Sequence, residues 1–273
     1  MHLKRKKAFI ASFLLVLIAL CFYQFYSEEQ AFYKVSYPKE DISSLIQKEE
    51  LSTDDFMTIY NQTGVSPYAA RELIENKDYE TLEKLNVLYF EEPDISKNFI
   101  AYPTTLEERN SSQNTPFVNL KKGDILITFN SSTLDWRHGH CGLVLDEVEG
   151  KLLEHTSIGN VSCITNLSDW ASYPGFVILR PEDENVAEKA VSYAEKTLVG
   201  IPYNLFSGLI NKETSRDSHC SHIVWRAYKE AGLDIDSSKG MIVTPKDIAM
   251  SENLDVVQIF GINPKTYKDR IKM

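Results

Sequence analysis

Along the chain the apolar residues recur first at helical spacing and then in strand-like runs. Phe56, Ile59 and Tyr60 follow a Ser52 or Thr53 cap, and Ala70, Leu73 and Ile74 follow Ser66-Pro67, a cap with proline in the first turn. Leu82, Leu85, Leu88 and Tyr89 mark a third stripe, so three short helices are predicted. After the turn Lys121-Lys122-Gly123-Asp124 the pattern shortens: residues 125–129, 141–145, 151–155 and 176–179 read as strands, with polar turns such as Glu149-Gly150 between them. Hairpin-length spacing predicts an antiparallel sheet. Pro181-Glu182-Asp183-Glu184 opens a helix through about Leu198, apolar at Val186, Ala187, Ala190, Val191 and Ala194 and closed by Gly200. A polar run, residues 212–218, leads into Ile223, Val224, Ala227, Tyr228 and Ala231 at helical spacing, with Gly232 as the stop. Thr244-Pro245 begins a short helix or turn, and residues 254–260 supply a last strand. Residues 91–116, with Pro93, Pro103, Asn110 and Asn114, read as a linker or cover loop.

The N-terminus departs from this pattern. Lys4-Arg5-Lys6-Lys7 is basic, and residues 8–26 are apolar apart from Ser12 and Gln24, long enough for one helix across a hydrocarbon core with the basic flank cytoplasmic and the body outside. A cleaved signal segment is the rival reading. The expected organisation is therefore an anchor or signal segment at 1–27, a helical module with linker at 28–116, and a sheet-and-helix domain at 117–273. At 273 residues, 43% hydrophobic and 25% charged, the chain has ordinary globular composition. Its net charge of −10 argues against nucleic acid as a partner. Cys21 belongs to the apolar N-terminus. Cys141, Cys163 and Cys220 remain, an odd number, so one at least is a free thiol, while a Cys141–Cys163 disulfide stays open.

Cys220 falls in the first turn of its predicted helix. Unpaired backbone N–H groups and the positive end of the helix dipole favour thiolate there, although a small buried cysteine is the plain alternative. A sulfur nucleophile needs a base, and the base needs a third group to orient it. Five histidines, His138, His140, His155, His219 and His222, lie between the first strands and this helix. His140, where a polar loop enters a strand, suits the base. Glu154 on the next strand suits the orienting role, and its neighbour His155 points to the other face, so one of the two serves. His138-Gly139-His140, with Cys220 or His222, could instead complete a zinc site, but the chain carries no C-x-x-C or H-E-x-x-H unit. No metal is expected. With no nucleotide-binding glycine loop, no organic cofactor is expected either.

Taken in order, Gly123-Asp124-Ile125-Leu126, His140-Cys141-Gly142-Leu143-Val144, Leu153-Glu154-His155, Arg180-Pro181, Pro202-Tyr203-Asn204-Leu205-Phe206 and Cys220-Ser221-His222-Ile223-Val224-Trp225 form a recognisable series. It resembles the YiiX/YebB-like branch of the NlpC-type cysteine hydrolases, which shares its arrangement with the lecithin:retinol acyltransferase group. The resemblance covers about 117–261. It implies an α+β fold, a circularly permuted papain-like domain whose antiparallel sheet packs on helices, preceded here by the transmembrane helix and the small helical module. It also implies Cys220 as nucleophile, His140 as general base and Glu154 as third member, with Tyr203 and Ser221 as candidates for substrate binding or the oxyanion hole. Asn204, His219 and Cys141 depart from the family pattern. The expected activity is that of an extracytoplasmic thiol hydrolase of the peptidase or amidase type, cutting an amide bond of cell-wall peptidoglycan through an acyl-enzyme. An acyl-lipid hydrolase or acyltransferase with the same dyad, and a silent wall- or lipid-binding module, are the alternatives.

Overall fold

The fold is described from a computed structural model, which covers residues 32–101, 104–110, 114–133, 136–209 and 211–272. All lie in the compact unit Ala31–Met273. The apolar stretch 8–26 lies outside the described residues, among which no helix is long and apolar enough to cross a membrane.

Among the described residues three helices come first: α1 (Thr53–Thr63), α2 (Pro67–Glu75) and α3 (Tyr79–Leu88). A reciprocal capping box starts α1, the Ser52 hydroxyl accepting from the Asp55 N–H while the Asp55 carboxylate accepts from the Ser52 N–H at 2.8 Å. Gly64 ends it at φ 75°, and a Cβ there would sit 2.0 Å from the Ile259 carbonyl oxygen. Only glycine permits both the left-handed turn and that approach.

Among the described residues, ten strands follow in two antiparallel sheets. The smaller has the order β1-β2-β4-β5, built from β1 (Ile95–Ala101), β2 (Thr104–Arg109), β4 (Ser131–Thr133) and β5 (Trp136–Arg137). The larger runs β10-β9-β3-β6-β7-β8, built from β10 (Leu254–Phe260), β9 (Phe176–Pro181), β3 (Ile125–Thr128), β6 (His140–Asp146), β7 (Lys151–Glu154) and β8 (Cys163–Asn166). Helices α4 (Glu184–Tyr193), α5 (Cys220–Glu230) and α6 (Pro245–Ala249) complete the unit.

This corrects the expected fold class. The expectation was one antiparallel sheet on helices in a permuted papain-like domain, preceded by a membrane helix and a separate helical module. The molecule is instead mixed α and β with two antiparallel sheets. Half of the second sheet comes from the segment expected as a linker: Ile-Ser-Lys-Asn-Phe-Ile-Ala and Thr-Thr-Leu-Glu-Glu-Arg pair with each other, and β2 then pairs with β4. Nor do α1–α3 stand apart. Ile59, Leu73, Leu82 and Leu85 pack with Leu126, Val144, Leu152 and Ile178 from one face of the large sheet. The other face presents Ile125, Ile127, Cys141, Leu143, Val177 and Leu179 to Ala190, Val191, Ile223, Val224 and Tyr228 of α4 and α5. The central strands are buried on both faces, which is why they read as unbroken apolar runs.

Candidate active site

Helix α5 turns Ile223, Val224, Ala227 and Tyr228 into the core, which fixes its first residue, Cys220, at the edge of the large sheet. His219 caps it, its ring Nδ1 accepting the His222 N–H at 3.4 Å. At the far end Leu233 N–H returns to the Tyr228 carbonyl at 2.9 Å around Gly232, whose φ is 94°. The Cys220 sulfur thus sits at the positive end of the helix dipole, beside the N–H groups of the first turn that His219 does not cap.

His140 is the first residue of β6. The preceding loop is tied down by Arg137, whose guanidinium donates to both Glu107 carboxylate oxygens at 2.6 and 2.7 Å, and by the His138 and Gly139 N–H groups on the Ser131 carbonyl. Gly139 has φ 78°, and a Cβ there would lie 2.8 Å from the Thr128 carbonyl oxygen, so this corner accepts glycine alone. Across the register, Gly142 of β6 faces Glu154 of β7, and the side chain of His140 leans along the same face.

There His140 Nε2 and Glu154 Oε2 are 2.6 Å apart. Trp170 Nε1 donates to the same carboxylate oxygen at 3.2 Å, Thr165 Oγ1 donates to the other at 2.5 Å, and the Trp170 ring stacks on the His140 ring at 5.4 Å. With Nε2 engaged by Glu154, Nδ1 is the ring nitrogen left for Cys220. Burial works against a charged His140, yet Cys220 on one side and Glu154 on the other raise its pKa to about 10. Burial likewise pushes Glu154 up, but the bonds from His140, Thr165 and Trp170 hold it below the ordinary carboxylate range. The Cys220 sulfur is drawn well below the usual thiol range, first by the neighbouring Cys141 thiol, then, against burial, by His140 and His219. Cys141 itself stays protonated because burial raises it, and its Sγ donates to the Cys220 carbonyl at 3.4 Å. A thiolate beside an imidazolium is the arrangement these groups favour.

Comparison with known proteins adds one relative. The chain is 33% identical over 143 residues to the uncharacterized protein YycO of Bacillus subtilis (strain 168), an alignment covering 48% of this chain and 52% of that protein. The chain thus spans about half the length of that relative. No protein-family model matches the chain, and no solved structure matches it.

The remaining candidates separate by their contacts. His155 does not touch His140. It is fully buried with no partner of hydrogen-bond geometry on either ring nitrogen, its ring edge-on to Tyr203 at 4.9 Å, and burial lowers its pKa. Of the two, Glu154 is the residue in contact with the His140 ring. Tyr203 is half-buried near Cys220, and burial together with the sulfur's charge keeps its hydroxyl protonated. Ser221 is buried and donates its hydroxyl proton to the Val243 carbonyl at 2.8 Å, so its side chain serves the fold. His222 binds Ser207 and Ser218 through Nδ1 and the Lys212 carbonyl through Nε2, and burial pushes its pKa down to about 4. His138 bonds Thr133 and the Gly139 carbonyl, and among the described residues no group of three His, Cys, Asp or Glu side chains is placed to hold a metal ion. Cys141, Cys163 and Cys220 are all free thiols, so the Cys141–Cys163 bridge does not form. Trp170, Thr165 and the Cys141 contact have no local sequence signal: each becomes a neighbour of the site only when β6, β7 and β8 align.

Proposed function

We propose that the chain is a thiol hydrolase that opens an amide bond through a Cys220 acyl-enzyme. The observation that carries this reading is the 2.6 Å His140–Glu154 pair beside a buried sulfur at a helix N-terminus. The Cys220 thiolate attacks the carbonyl carbon, and the C=O π pair moves onto oxygen. On collapse the C–N bond breaks and the leaving nitrogen takes the proton from His140 Nδ1. Water then adds to the thioester as neutral His140 accepts its proton, which restores the imidazolium, and the tetrahedral adduct collapses to the acid with the sulfur leaving as thiolate. Glu154 holds the ring through Nε2 and balances its charge in both halves. The resemblance to NlpC-type hydrolases supports an extracytoplasmic cell-wall peptide as the amide. A lipid acyl ester is the second reading, favoured by Phe206, Leu209 and Met241, which are exposed on loops around the start of α5.

The test is to incubate the full chain with peptidoglycan fragments, and separately with phospholipid vesicles, and to follow both by mass spectrometry beside Cys220→Ala. New amine and carboxylate ends in the peptides that Cys220→Ala fails to make support the amide reading, while released fatty acid supports the ester. Products formed equally by Cys220→Ala defeat the mechanism.

A further inference from the structure

The collapse step needs donors for the oxygen that becomes an anion, placed where that oxygen will lie. The Cys220 N–H is one, since as the first N–H of α5 it has no acceptor among the described residues. A second comes from the helix cap. His219 is 4% exposed, and its Nδ1 accepts the backbone N–H of His222, which leaves Nε2 as the nitrogen that carries the ring proton. Ser221 Oγ lies 3.3 Å from the same Nδ1 and gives its own proton to the Val243 carbonyl, but the His222 N–H aimed at Nδ1 leaves no room for a proton on that nitrogen. Nε2 is buried with no partner of hydrogen-bond geometry among the described residues, and a buried donor left unpaired is costly unless a ligand completes it. His219 directly precedes Cys220 and its ring caps the same first turn, which places it at the sulfur's end of the helix.

Resting on the hydrolase reading above, we propose that His219 Nε2–H and the Cys220 backbone N–H together form the oxyanion hole, with the cap hydrogen bond as the device that points the imidazole proton at the substrate oxygen. The other side chains near the sulfur lack that constraint. His155 has no partner of hydrogen-bond geometry on either ring nitrogen among the described residues.

The test separates acylation, which makes an oxyanion, from alkylation, which does not. His219→Asn and His219→Ser keep a strong capping side chain but are too short to reach the Nε2 position. In the full chain, the burst of p-nitrophenolate from p-nitrophenyl acetate measures acylation of Cys220, and iodoacetamide labelling at the pH plateau measures alkylation. Both variants are expected to lose about 10²-fold in acylation. Their plateau alkylation should stay within about twofold of wild type, and His219→Gln, which restores an N–H donor, should recover part of the acylation rate. Unchanged acylation in a folded variant, or equal loss in both reactions, overturns the role of His219 while leaving the hydrolase intact. A wild-type Cys220 that alkylates no faster than an ordinary thiol overturns the hydrolase reading and this inference with it.

Discussion

Two ionic pairs lie at opposite ends of the β3–β6 ladder, and they differ in how completely their partners are satisfied. Where β9 ends beside the start of β3, Arg180 forks onto both oxygens of Asp124 at 2.7 Å and reaches the Asn119 carbonyl at 2.6 Å, while the Lys121 N–H supplies a further bond at 2.9 Å. Burial works against both charges and pushes the Asp124 carboxyl up, but the bidentate contact holds the Arg180 guanidinium above its ordinary range. Where β3 ends beside the start of β6, His140 and Glu154 are buried, yet their network ends on a sulfur near His219, whose Nε2 has no partner of hydrogen-bond geometry among the described residues, and His155, for which the same holds at both ring nitrogens. A closed network fixes strands. An open one, with donors waiting and a polarised nucleophile, is arranged for a ligand.

The largest expected contrast is in Cys220→Ala, which should abolish turnover, a loss of about 10⁴-fold or more, with an unchanged melting temperature. Arg180→Met should do the reverse. It leaves Asp124 buried and unpaired, costing about 3–5 kcal/mol by denaturant unfolding with activity per folded molecule unchanged, and Asp124→Leu added to it should recover much of that. Glu154→Gln should lower turnover by about 10²-fold, because the imidazolium loses its counter-charge and the orientation set through Nε2. Trp170→Phe keeps the stack on His140 but removes the N–H donated to Glu154, an effect of about 1 kcal/mol and so roughly a fivefold loss.

The smallest effect concerns acid stability. His155 and His222 are held neutral by burial, so the unfolded chain takes protons near pH 6.5 that the folded chain refuses, in the case of His222 until about pH 4. Stability should fall as pH drops from about 6.5 toward 4, and His222→Gln should flatten that slope. Glu154, depressed in the fold, adds to the loss only below the ordinary carboxylate range. Between pH 6.5 and 9 the raised His140 and lowered Cys220 oppose each other, since the fold holds on His140 a proton that the unfolded chain holds on the thiol.

What lay in local pattern could be read from the sequence. The caps at Ser52 and Thr244, the apolar runs of β3, β6 and β9, and the placing of Cys220 at a helix start all rest on residues a few positions apart. The β1–β2 hairpin could not be read so. Its strands show no regular alternation of apolar and polar residues, their neighbourhood carries prolines and asparagines, and they form by pairing with each other and with β4. In the site, Cys220, His140 and Glu154 follow from strand and helix positions. The choice between Glu154 and His155 needed the register that sets Glu154 opposite Gly142, and Trp170 and Thr165 needed β8 and the turn after it. The role of His219 needed the hydrogen bond that fixes its tautomer.

The central claim is that Cys220 rests as a thiolate paired with the His140 imidazolium. The most direct measurement is the rate of iodoacetamide labelling of Cys220 against pH, mapped by mass spectrometry, in wild type and His140→Gln. Rapid labelling already at pH 6 in wild type, moving in the variant to the ordinary thiol range near about 8.5, is the predicted result. A Cys220 that labels slowly at pH 6, or whose profile is the same without His140, contradicts it.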